Sequence, residues 1–332
     1  MDEDEFALIC SLDAFPTDMQ LSVSEETFSV IKRQLQHRQF RAALRVHRQE
    51  KALKKYVTRH GTISFEAPHS VKRESICQIA KSVDFSPCMM ARLLLEAKFG
   101  WSKTTISNIF KEVLKDEIDG KEQEEDAGTA HEPNRRGLSE DEYARVLQEV
   151  HECIAEDVHC SPLADRIRHN MGVEYEYLLL ETLRNRRLVF ESEDMLREKG
   201  LSKTPDVRLL LPIGVQDPKN SQLHVVNWID SKAMFGDRHT HETENANQLQ
   251  GYVNRYGPGM VIYWFGHVAQ LSSDSDIFIT DTFPQEISLP GAFDPLASTT
   301  KLEEGATLSL RPVKSQRTEF DEDWVPVATC EL

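Results

Sequence analysis

The chain has 332 residues, 28% of them charged and 39% hydrophobic, with a formal net charge of −16. That length has room for more than one hydrophobic core, and no apolar run is long enough to serve as a membrane-spanning helix. The acidity is uneven: residues 1–26 hold eight acids and no Lys or Arg, residues 116–132 hold eight acids against Lys121, and the 291–332 segment is also acidic. The remainder is net positive, so the overall charge does not exclude a phosphate-backbone partner. Met1 to Glu5 lacks the basic end and apolar centre of a secretory signal. The six scattered cysteines (Cys10, Cys77, Cys88, Cys153, Cys160, Cys330) fit a reducing compartment, nucleus and cytoplasm, better than a disulfide framework.

Taken in order, residues 1–23 read as a disordered acidic tail. Residues 24–115 read as a helical region. Ser24 followed by Glu25 and Glu26 is a helix start, and Phe28, Ile31, Leu35, Phe40 and Leu44 recur at helical spacing. Residues 31–60 hold ten Lys or Arg against Glu50 alone. Arg33, Arg38, Arg41, Arg45 and Arg48 thus offer a face for nucleic-acid phosphates, with a solvated helix surface or an acidic protein partner as the competing interpretation. Residues 72–99 read as a helix-turn-helix-like unit, with Ser86 as N-cap and Pro87 at the first helical position. Its second helix has few side chains suited to base edges, which favours plain helix packing over sequence readout.

Residues 116–138 read as an acidic linker and 139–290 as an α/β domain. Helices are expected over 139–157 and from Ser161-Pro162 onward. His151, Cys153, His159 and Cys160 match none of the paired spacings of structural zinc sites. Leu188 to Phe190 reads as a short strand, and Ser192 to Lys199 as a short helix stopped by Gly200. Two apolar runs, Val207–Ile213 and His224–Ile229, flank a polar turn and predict a β-hairpin. A helix over Asn245–Tyr256 and strands over Met260–Phe265 and Asp276–Thr280 complete the domain. The 291–332 segment reads as a disordered tail.

The hairpin carries the chemistry. Asp230 and Lys232 share one strand face and Ser231 takes the other. If the register sets Asp206 opposite them, two carboxylates and an ammonium converge. Hard cations such as Mg²⁺ take carboxylate and carbonyl oxygens. Asp206, Asp230 and the Ser231 carbonyl therefore form a candidate ligand set for Mg²⁺ or Mn²⁺. Lys232 would position the attacking water, or take its proton if the site lowers its pKa.

Three strings extend this pattern: Lys203-Thr204-Pro205-Asp206, Trp228 through Asp237, and Arg255 through Trp264. Together they resemble the codanin-interacting nuclease family, a Thr-Pro-Asp variant of the PD-(D/E)XK nucleases; the resemblance reaches to about Pro284 and is strongest from Glu174 to Trp264. It implies an α+β chain in which the helical N-terminal region precedes a restriction-endonuclease-like α/β domain. It also implies an acid from the helix before the sheet, placed at Glu176 by the Gly172-x-x-x-Glu176 spacing, with Glu174 a weaker candidate and Glu181 on a solvated face. Gln248 matches in position a glutamine found on this helix in relatives, one that would orient water or phosphate, with a surface amide as the competing interpretation, and His239 and His241 lie nearby. The implied function is metal-dependent hydrolysis of DNA or RNA, with codanin as protein partner. The alternative is a non-catalytic codanin-binding protein that uses the nuclease fold as a docking surface.

Overall fold

The computed structural model describes residues 1–17, 19–61, 73–118, 137–271 and 275–290. Residues 119–136 of the expected linker, and the whole 291–332 tail, lie outside the described residues.

Seven helices come first: α1 (Glu3–Ser11), α2 (Glu25–His47), α3 (Glu50–His60), α4 (Ile76–Ser82), α5 (Pro87–Phe99), α6 (Lys103–Ile118) and α7 (Glu140–Glu156). Their starts are set by local chemistry. Ser24, Ser75, Ser86 and Ser139 each accept a backbone N–H of the first turn, which satisfies an otherwise orphaned donor. Gln78 and Glu142 return the bond to the cap, closing two capping boxes. The basic stretch is divided between α2 and α3 at Gln49, whose backbone is extended.

α5 is the centre of the helical cluster. Cys88, Met90, Ala91, Leu93, Leu94 and Leu95 are all buried and pack with Ile79, Phe85, Phe110 and Val150. The α4–α5 pair thus contributes to the helical core, while Arg92, Glu96, Ala97 and Lys98 keep part of their surface in solvent. α7, assigned from sequence to the α/β domain, packs here instead: Val146, Val150, Cys153 and Ile154 join the same cluster. Its apolar stripe identifies a buried face but not the neighbour that covers it.

Residues 1–23 also depart from expectation. Asp2 caps α1 by accepting the Glu5 N–H, and three acids occupy the first turn, where the helix dipole favours them. Ile9 is fully buried, Phe6 stacks on Phe235 with ring centroids 5.6 Å apart, and the Ala269 N–H donates to the Met1 carbonyl. The acids point outward while a short apolar stripe docks, a distinction that composition conceals.

The second part begins with α8 (Pro162–Asn185), then β1 (Phe190–Ser192), α9 (Glu193–Glu198), β2 (Val207–Gln216), β3 (Leu223–Lys232), α10 (Ala246–Tyr256), β4 (Gly259–Tyr263) and β5 (Ile277–Thr280). A π-helical turn, Thr240–Asn245, leads into α10. The sheet order is β1-β2-β3-β4-β5, antiparallel across β1, β2 and β3 and parallel across β3, β4 and β5. Leu179 and Leu183 of α8 pack on one face against Val207, Ile229, Met260 and Ile262. Leu249 and Tyr252 of α10 pack on the other against Trp228, Val261 and Tyr263. β4 is apolar and buried throughout because both its faces are covered. The hairpin is present but irregular: Arg208 pairs with Trp228, and pairing resumes only at Ile213 opposite Val226. The intervening bulge leaves Leu210 and Leu211 exposed. Among the described residues no helix is long and apolar enough to cross a membrane.

Candidate active site

The Thr204-Pro205-Asp206 segment and the end of β3 meet where β2 begins. Val207 pairs with Ile229, so the next step outward sets Asp206 beside Asp230, on the face shared by Trp228 and Lys232. Asp206 Oδ2 accepts the Ser231 backbone N–H at 2.6 Å. Lys232 Nζ stands 2.7 Å from Asp230 Oδ2. The convergence expected from sequence is therefore present in the backbone register and in the side chains.

Asp230 is fully buried, and its Oδ1 has no hydrogen-bond donor. A buried carboxylate oxygen without a donor is costly, and a hard cation would satisfy it. Burial, then the charge of Asp230, pushes the Asp206 carboxyl well above its usual range. Glu176 projects from α8 and is also pushed up, by burial first and then by Glu193 and Asp230. Buried carboxylates of one sign are strained in this way until a cation joins them. Among the described residues, no three His, Cys, Asp or Glu side chains close on a common point here or elsewhere. The oxygens that could hold a divalent ion here are those of Asp206 and Asp230 and the Ser231 carbonyl, with Glu176 coupled to them by charge. Cys153 lies against Cys77, with 3.5 Å between sulfurs, inside the helical core.

For Lys232, burial lowers the pKa, but the charges of Asp230, Asp206 and Glu176 together outweigh it and the net shift is upward. With no cation beside these carboxylates the ammonium form is the favoured one. The Lys232 ammonium also donates to Gln248 Oε1 at 3.2 Å. Gln248 Nε2 donates to the Tyr252 hydroxyl at 2.6 Å, which donates to the Thr204 carbonyl at 2.8 Å.

The other candidates separate. Glu174 is exposed on α8, and Glu181 pairs with Arg184. His241 is buried against the Tyr263 hydroxyl, whereas His239 is exposed. Two contributors escaped the sequence reading. Glu193 donates its backbone N–H to the Asp206 carbonyl, and its carboxylate accepts from Thr204 Oγ1 at 3.1 Å. At the first turn of a short helix it looks like an ordinary dipole-compensating acid. Tyr252 lies four residues from Gln248 on one helix, a spacing that does signal contact.

Beside this site runs a cleft of about 900 Å³ between α2 and α8 that reaches Ser231 and Lys232. Arg33, Arg38 and Arg41 line it, while Arg45 and Arg48 do not. Arg38 is committed to Asp237 at 2.7 Å and to Thr240, and Arg48 pairs with Glu96. Among the described residues Arg33 and Arg41 have no carboxylate partner; Arg33 bonds only the Ser29 carbonyl of its own helix.

A family model described as "Protein of unknown function TPD sequence-motif" matches residues 142–283. The chain is 34% identical to the zebrafish (Danio rerio) protein CDAN1-interacting nuclease 1 over 78% of each chain. It is 32% identical to the Xenopus laevis protein of that name, over 74% of this chain and 73% of the other. The Homo sapiens protein matches at 33%, over 64% of this chain and 67% of its own. No solved structure matches. The extent and identity of these matches, which take in the Thr204-Pro205-Asp206 corner, assign the chain to the CDAN1-interacting nuclease 1 family.

Proposed function

We propose that this protein is a PD-(D/E)XK-type nuclease that hydrolyses phosphodiester bonds of DNA or RNA with Mg²⁺ or Mn²⁺. The observation that carries the reading is the fully buried Asp230, one oxygen without a donor, set between Asp206 and an ammonium at the end of an arginine-lined cleft. Asp206, Asp230 and the Ser231 carbonyl would hold the ion, with Glu176 adjoining. The ion supplies charge neutralisation at the phosphate and a more acidic water. Lys232 orients the water or a phosphate oxygen. Gln248 fixes the Lys232 headgroup, and Arg33 and Arg41 hold the nucleic-acid backbone by charge. The relatives' name supplies the proposed protein partner, codanin (CDAN1).

The test has two parts. Titration with Mn²⁺ or Mg²⁺ should raise the thermal midpoint of the protein; a ligand at one hundred times its dissociation constant stabilises by about 2.7 kcal/mol. The Asp206→Ala/Asp230→Ala variant should lose that shift. The metal-loaded protein should nick labelled DNA or RNA. Cleavage that survives in the double variant would place the chemistry elsewhere.

A further inference from the structure

We propose that the cleft between α2 and α8 takes an unpaired strand, so that the substrate is single-stranded nucleic acid or a frayed arm rather than continuous duplex. The proposal rests on the nuclease reading above and adds a substrate class to it.

The first argument is position. Gln34 donates to the Phe235 carbonyl at 3.1 Å and accepts the Phe235 N–H at 2.8 Å, and Arg38 bonds Asp237. These contacts fasten α2 beside the chain that leaves β3, three to five residues beyond Lys232. The helix is thereby a fixed wall, and a strand lying along it has a phosphate at Lys232.

The second argument is the mixed lining. A duplex shows a protein its phosphates and groove edges, whereas an unpaired strand also shows apolar base faces. The cleft provides for both. Arg33 and Arg41 stand free of carboxylates on α2. Opposite them Ile167 is 56% exposed and Val158 67% exposed, large apolar side chains left in solvent at the cleft wall. His37 also lines the cleft. Burial and the charges of Arg168 and Arg41 lower its pKa, so near neutral pH it presents a neutral flat ring, suited to stacking on a base.

The third argument is size. About 900 Å³ lies near the top of the range of roughly 300–1,000 Å³ found for small-molecule sites. That accommodates a few nucleotides.

The test uses the full chain without divalent metal and measures fluorescence anisotropy of a short labelled oligothymidylate and of a duplex of equal length. The wild type should bind the single strand about ten-fold more tightly or better. Ile167→Glu and Arg41→Glu should each weaken single-strand binding by about ten-fold, the scale of one lost base stack or charge contact. Both positions are exposed, and an unchanged thermal midpoint would establish that the variants fold. Duplex binding as tight as single-strand binding, or single-strand binding that neither variant weakens, overturns the proposal. Cleavage assays with Mn²⁺ keep the two readings separate. Cleavage of nucleic acid together with unaltered oligonucleotide binding in both variants sinks the cleft and leaves the nuclease. Variant-sensitive single-strand binding without any cleavage upholds the cleft as a binding site and sinks the nuclease.

Discussion

Gln248 and Lys232 are joined across 3.2 Å by a bond in which the amide oxygen accepts from the ammonium. The amide has to face that way, because its nitrogen donates to the Tyr252 hydroxyl. Tyr252 thus sets the orientation of Gln248 and, through it, the place of the ammonium.

Replacement of Tyr252 by Phe keeps the ring packed against Trp228 but removes the hydroxyl. The buried Thr204 carbonyl then loses its donor, which should cost about 1–2 kcal/mol in urea denaturation. In a nuclease assay kcat should fall by about ten-fold, the scale for outer partners of a reactive group, with KM little changed. A loss confined to KM would show that the hydroxyl does not act through Lys232.

The raised carboxyls of Asp206 and Glu176 give a signed pH dependence. An acid whose pKa is higher in the folded state binds more protons folded than unfolded. Its stabilising contribution is complete below the unfolded value, near 3.8 for Asp206, and disappears as pH rises through the folded value. In metal-free buffer, wild type should therefore lose stability relative to Asp206→Asn as pH climbs from acidic toward neutral. Divalent metal should reverse the trend, since its binding requires deprotonated carboxylates. Urea midpoints of both proteins across that range test this. A difference that does not vary with pH would mean that Asp206 titrates normally.

Two arginines on one helix should behave oppositely. Arg38 bonds the buried Asp237, and Arg38→Ala should destabilise by about 2 kcal/mol by leaving that carboxylate short of a donor. Arg41→Ala should stay within about 0.5 kcal/mol of wild type. Equal effects in chemical denaturation would refute this division of structural and binding roles.

Gly259 opens β4 directly beneath Trp228: a Cβ there would fall inside the indole ring. The ring is fully buried and is held by its bond to the Gly257 carbonyl at 2.8 Å, so it has nowhere to retreat. Gly259→Ala should cost about 3 kcal/mol, read from thermal or urea unfolding. Near-wild-type stability would mean that the sheet yields at this point.

What was legible in the sequence was local. Ser86-Pro87, Ser139 with Glu142, and Ser192 mark helix starts because each cap is satisfied within three residues. The hairpin and the meeting of Asp206 with Asp230 could be anticipated because alternation and one turn nearly determine a register. The contacts that failed to show are distant in sequence. Nothing near Phe6 announces Phe235, and nothing in the α7 stripe tells whether helices or a sheet cover it. The bulge at Leu209–Pro212 is hidden because an apolar run reads as regular strand whether or not it pairs. Glu193 was overlooked because its role depends on Thr204 and Asp206 arriving from the other end of a loop.

The fastening of α2 to Phe235 and Asp237 bears on how this protein can be dissected. A fragment starting at residue 139 would match the α/β-domain boundary read from the sequence, yet it would lose one whole side of the channel and bare the Phe235 ring that α1 covers. Such a fragment should aggregate and bind nucleic acid poorly even with Asp206, Asp230 and Lys232 intact. Its inactivity would then report a missing half, not a dead centre.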